Sequence, residues 1–197
     1  MTILRNSIAL LAMSAMLGAG ACAPGVQNIT VATPGPITSA PDVVTIVVLQ
    51  PTTRLHTVEL VDGRGQLVGQ LDGHAQTVVH VPEGPTVLYA VLENRADTVD
   101  RVEGTLVPGR VYYATVSERE GGVALLVLSP RRVDGAWEHK NEDLSRTPRV
   151  QMDPQRIGRA VNELGDTGPI IQAGEARAAA LDPAQIAART FQESDGL

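Results

Sequence analysis

The stretch "HTVELVDGRGQLVGQLDGHAQTVVHVPEGPTVLYAVLE", His56 to Glu93, decides the fold. Its apolar residues come as short runs of valine and leucine. Each run stops at a turn signal: Asp62-Gly63, Asp72-Gly73 or Glu83-Gly84-Pro85. Branching at Cβ favours extended backbone, and Asp-Gly supplies the conformations a tight turn needs. "TVVHV" alternates in part, as a strand does when one face is buried. The same grammar runs outward through "VVTIVVLQ" on one side and "TVDRVEGTLV", "RVYYATVSE" and "GVALLVLS" on the other. Pro108-Gly109 and Gly121-Gly122 punctuate them. Strands about ten residues apart, with no helical period between them, predict an all-β sandwich over residues 42–130. About seven to eight short strands are expected, with a barrel as the alternative closure.

Beyond Pro130 the character changes. Residues 131–152 are polar and charged and read as a linker. Residues 153–197 read as a short α-helical C-terminal extension. "DPQRIGRAVNEL" offers Asp153 as N-cap and Pro154 at the first helical position, with Ile157, Ala160, Val161 and Leu164 on one face and Gly165 to end it. "DPAQIAARTF" repeats the opening at Asp182-Pro183, and Gln185 completes a capping box. Such short helices are marginal alone and must pack on the strands, on each other or on a partner.

The other end carries the address. "MTILR" has one basic residue, an apolar run follows from Ile8 to Leu17, and "GAGA" leads to Cys22. A basic start, a short apolar core and small residues before a cut describe a signal peptide over residues 1–21. A spanning helix needs ~20 apolar residues, about twice this core. Cys22 is the single cysteine of 197 residues, so an exported chain has no partner for it in an internal disulfide. Ala19-Gly20-Ala21 would serve ordinary signal peptidase; the stretch also resembles a bacterial lipobox, with Ala19 where that pattern more often has leucine. The resemblance implies lipidation of Cys22 and anchoring by several acyl chains, each methylene contributing ~0.8 kcal/mol. Ala23 is not the aspartate that resembles an inner-membrane retention signal, which favours the outer membrane, facing the periplasm. Residues 22–41, rich in Pro, Gly, Thr and Ser and without a charged residue, read as a flexible tether, with a first strand in "VQNITVAT" as the alternative.

Three segments carry a family likeness. "VELVDGRGQLVGQL" resembles the strand–turn–strand of PEGA-type β-domains. "VPEGPTVLYAV" is similar to the unit that follows it there. "LVPGRVYYATV" is similar to a strand of a bacterial lipoprotein family of unknown function. The likeness spans Val43 to Pro130 and consists of turn and strand grammar. It implies a small immunoglobulin- or PEGA-like sandwich displayed in the cell envelope, with no catalytic residues to carry over.

Chemistry-bearing motifs are sparse. A formal net charge of −6 opposes nucleic acid, which asks for clustered Lys and Arg. His56, His74, His80 and His139 lack metal-site spacing, and Asp62 in "VDGRG" suits a hairpin turn better than a calcium loop. "GRGQLVG" lacks the Lys-Ser/Thr of a phosphate loop, and Ser117, Ser129 and Ser145 lack a nucleophile elbow. Tyr112 and Tyr113, adjacent on a strand, must point to opposite faces. Trp137 either pins the linker to the sandwich or anchors a partner. No catalytic residue, cofactor or metal is therefore expected. The expected function is a non-enzymatic envelope lipoprotein acting as a protein-binding or scaffold module. Its partners would be the membrane, through Cys22, and another envelope protein. A periplasmic carrier of a small apolar ligand, held between sheet and helices, is the alternative.

Overall fold

The computed structural model describes residues 29–32, 35–52, 56–119, 121–132 and 135–197. The signal peptide over 1–21, Cys22 and the start of the tether lie outside the described residues. Eleven strands are present among the described residues. They are β1 (Ile29–Val31), β2 (Val44–Gln50), β3 (Thr57–Asp62), β4 (Leu67–Asp72), β5 (Ala75–Val81), β6 (Gly84–Leu92), β7 (Arg95–Leu106), β8 (Val111–Arg119), β9 (Gly122–Leu128), β10 (Arg149–Met152) and β11 (Thr190–Phe191). Four α-helices join them: α1 (Ala136–Arg146), α2 (Ile157–Leu164), α3 (Gly168–Ala179) and α4 (Pro183–Ala187).

The strands form two mixed sheets, ordered β1-β10-β5-β2-β8-β9 and β11-β7-β6-β3-β4. Ile46 and Val48 of β2, Tyr112 of β8 and Leu125 of β9 share one buried cluster with Val58 and Leu60 of β3 and Leu88 of β6, so the sheets meet across a common core. The outer faces are covered too. Helix α1 lays Ala136, Trp137 and Leu144 over Val47, Leu49 and Tyr113. Helices α2 and α3 bring Leu164 and Ile170 onto Val61, Tyr89 and Val91. Cover on both faces explains why "VTIVVLQ" is buried at every position instead of alternating. The central strand β2 pairs parallel with β8 and antiparallel with β5.

Eleven strands replace the seven or eight expected, and the additional ones lie outside 42–130. Within the expected tether, Ile29–Val31 pairs antiparallel with Met152–Val150. Within the expected polar linker stand α1 and β10, the latter joining β5 in parallel. The helical extension ends in a strap. Phe191 of β11 enters the common core, edge-on to Tyr112 at 5.7 Å between ring centres. Asp195 accepts from Ser129 Oγ at 2.5 Å and Arg131 Nη2 at 2.8 Å, and Leu197 exchanges backbone bonds with Val111. Arg189 clamps Asp100 of β7 through Nε at 3.0 Å and Nη2 at 2.8 Å, while Asp100 also accepts from the N–H of Leu125. These pairings run between segments far apart in sequence, so local periodicity carries no sign of them.

Helix starts differ in detail. Asp153 caps a turn, its Oδ1 accepting from the N–H of Gln155, and α2 begins only at Ile157. The box at Asp182 forms, Gln185 N–H reaching Asp182 Oδ1 at 2.9 Å and Asp182 N–H reaching Gln185 Oε1 at 3.0 Å. Among the described residues no helix is long and apolar enough to cross a membrane.

Candidate functional site: an acidic pocket beside an uncovered helix

The hairpin β3–β4 places two polar pairs on its outer face, Thr57 opposite Asp72 and Glu59 opposite Gln70. Period-two alternation puts Val58, Leu60 and Leu71 into the common core, so these four residues must face outward. Glu59 and Gln70 are buried, and Thr57 and Asp72 are half-buried. Helix α2 lays Ala160, Glu163 and Leu164 over them, and the Glu93-Asn94 turn and Ile29 complete the walls of a pocket of about 300 Å³. Glu93 and Asn94 are the two central residues between paired Leu92 and Arg95, both with positive φ. That is the turn whose twist suits a two-residue hairpin. It aims the Asn94 N–H at Glu59 Oε2 (3.1 Å) and its side-chain amide at the Glu163 carbonyl (3.0 Å).

Burial pushes the Glu59 carboxyl up to about 7, with the Asn94 N–H opposing and Glu93 and Glu163 adding to the shift. Burial also raises Asp72. Gln70 is only 4% exposed, yet its Oε1 has no hydrogen-bond partner among the described residues, and neither does Asp72 Oδ2. Two basic groups pair at its rim: Arg159 Nε with Glu163 Oε1 at 2.7 Å, and His56 with Glu118 at 3.0 Å and Glu93 at 3.9 Å. The lining thus concentrates acceptors, the carboxylates of Glu59, Asp72, Glu93 and Glu163 with the Gln70 amide oxygen, and the Asn94 donors are turned onto Glu59 and Glu163. Chemically it can hold a donor-rich cation and exchange a proton near neutral pH. Outside it, Ile157 and Val161 of α2 are 41% and 47% exposed, while Ala160 and Leu164 of the same expected face are buried.

The residues singled out from sequence lie elsewhere. Trp137 packs edge-on to Tyr113 at 6.1 Å, and Lys140 Nζ sits over both rings at about 4 Å, so the tryptophan is engaged within the chain. Tyr112 lies between the sheets and Tyr113 on the outer face beneath α1. Asp62 Oδ1 accepts the N–H groups of Arg64 and Gln66, which is turn work. His80 Nδ1 meets Thr45 Oγ1, and His139 Nδ1 meets the Gly135 carbonyl. Among the described residues no group of three His, Cys, Asp or Glu side chains is placed to hold a metal ion. Glu59, Gln70 and Asp72 were not singled out; their signal is the polar positions two apart on each arm of one hairpin, mirrored about its turn. No model of a known protein family matches the chain, and no curated protein matches it.

Proposed function

We propose that this chain is a non-enzymatic protein-binding module of the bacterial cell envelope, held at the membrane by acyl chains on Cys22. The two sheets are read as a small sandwich of the immunoglobulin or PEGA type, a reading supported by their common core. The observation that carries the binding role is the juxtaposition on one face of a desolvated acidic pocket and the uncovered Ile157 and Val161. Interfaces concentrate their energy where a few anchoring groups enter a water-excluded recess. The carrier reading needs room between sheet and helix. At α3 that room is taken, because a Cβ built on Gly174 would stand 2.6 Å from the Tyr89 ring, and the room that exists under α2 is lined by Glu59, Gln70, Asp72 and Glu163, which suit a polar group better than an apolar ligand.

A photo-crosslinking residue at Val161, introduced into the chain in its native host, tests the proposal, with exposed Ser145 of α1 as control. The expected result is one discrete protein adduct from position 161 and none from position 145. Equal, diffuse labelling at both positions would overturn it.

A further inference from the structure

We infer that the acidic pocket is a receptor for one organic cation, the guanidinium or ammonium head of a basic side chain presented by the partner. This deepens the protein-binding reading and rests on it. The floor supplies two buried acceptors that nothing among the described residues satisfies, Gln70 Oε1 and Asp72 Oδ2, beside the Glu59 carboxylate. A buried acceptor without a donor is costly, and a buried carboxylate without a counter-charge more so. A ligand that is all donor and positively charged answers both needs. Guanidinium brings five N–H groups and ammonium three, and neither carries an acceptor to conflict with the floor.

The rest of the lining suits a side chain rather than a bare ion. A hard metal cation wants six or more oxygens, and no cluster of metal-ligating groups is assembled among the described residues. Ile29, Ala160 and Leu164 form an apolar flank along which the methylenes of lysine or arginine can lie. A volume of about 300 Å³ admits such a head with its stem, at the lower limit of ligand pockets. Glu93 and Glu163 stand at the rim, where negative charge draws a cation inward.

Capture depends on ionisation of the floor. The charged groups around Glu59 are Asp72 on β4, Glu93 on the β6–β7 turn with His56 beside it, and Glu163 on α2 with Arg159. A cation binds the deprotonated carboxylate, so affinity rises as pH climbs through about 7.

The test uses the full chain in mild detergent, titrated with Nα-acetyl-arginine amide, Nα-acetyl-lysine amide and, as an uncharged isostere, Nα-acetyl-citrulline amide. The readout is the ¹⁵N shifts of the Asn94 backbone and Gln70 side-chain amides. Saturable shifts are expected with a charged probe and not with citrulline, weakened about ten-fold or more in Glu59→Gln/Asp72→Asn, the loss of one charge-assisted contact or more. Glu59→Gln alone keeps an acceptor for the Asn94 N–H, so an unchanged spectrum elsewhere shows that the fold persists. Citrulline binding as well as arginine, no saturation by either charged probe, or affinity indifferent to the double substitution would overturn the inference. The crosslink at Val161 separates the two claims. If it persists in Glu59→Gln/Asp72→Asn, the cation receptor fails and protein binding stands. If probes saturate but position 161 captures nothing, the protein-binding reading fails and the cation is a free amine.

Discussion

Replacing Gly174 by alanine sets two effects against each other whose sizes are known. Glycine inside a helix costs about 1 kcal/mol relative to alanine, so at an open site the change stabilises. Gly158 of α2 is such a site: a Cβ there meets nothing within 4 Å. At Gly174 of α3 the new Cβ would lie 2.6 Å from Cδ1 and Cε1 of Tyr89 and 3.7 Å from Val99. Ordinary contact needs roughly 1 Å more. The tyrosine has nowhere to go, being 2% exposed and donating its hydroxyl to Glu175 Oε1 at 2.5 Å, from the next residue of the same helix. Helix α3 must therefore lift. Overpacking costs about 1–3 kcal/mol, and loosening the Tyr89–Glu175 bond adds about 1 kcal/mol. After the helix gain is subtracted, Gly174→Ala should lose about 1–3 kcal/mol. Gly158→Ala should gain up to about 1 kcal/mol, and less if its place in the first turn limits the benefit. Urea unfolding of the full chain reads both as midpoint shifts at a constant slope. A Gly174→Ala chain as stable as the parent, or midpoints moving the same way, would refute direct contact between α3 and the sheet.

Four further substitutions probe the pocket and the packing around the sheets. The Glu59 carboxyl lies near 7 when folded against an ordinary 4.5, so the folded state holds the extra proton and stability falls as pH rises between those values. Glu59→Gln should abolish that fall, worth at most about 3 kcal/mol by pH 8, in unfolding curves taken at pH 5 and pH 8. Arg189→Met leaves the 1%-exposed Asp100 with only the Leu125 N–H and Arg177 at 3.9 Å and should cost about 2–4 kcal/mol, while Asp100→Asn/Arg189→Met should cost clearly less than the two single changes summed. Trp137→Ala should cost roughly 2 kcal/mol and expose the amides of β2 to hydrogen exchange, because α1 covers that strand. Lys140→Met at the same spot should be neutral or stabilising, since burial already disfavours its charge.

The strands between Val44 and Leu128 were legible because each is bounded by a turn whose chemistry is local. The capping box at Asp182 was legible for the same reason. What escaped reading depends on contacts remote in sequence. A first strand in "VQNITVAT" is only the alternative to a tether on sequence grounds, because Ile29–Val31 is too short to show a period and its partner β10 lies far along the chain. Thr190–Phe191 reads as the end of a helix, yet Gly104 leaves room for it, a Cβ there standing 2.6 Å from the Phe191 carbonyl. The pocket was half legible. Alternation in "TVELVD" and "LVGQLD" already turns Thr57, Glu59, Gln70 and Asp72 to one face. A polar outer face normally means solvent, and it is the packing of α2 over this face that buries Glu59 and Gln70.

The envelope part of the proposal stands on the address, because the binding surface serves the membrane only if Cys22 anchors the chain there. The direct measurement is the intact mass of the chain extracted from the membranes of its native host, beside Cys22→Ala. The expected mass begins at residue 22 and carries acyl groups, and the variant lacks the increment. A mass without acyl groups in the parent chain would contradict the lipoprotein. It would make the protein a freely diffusing one and move the carrier reading ahead of the scaffold.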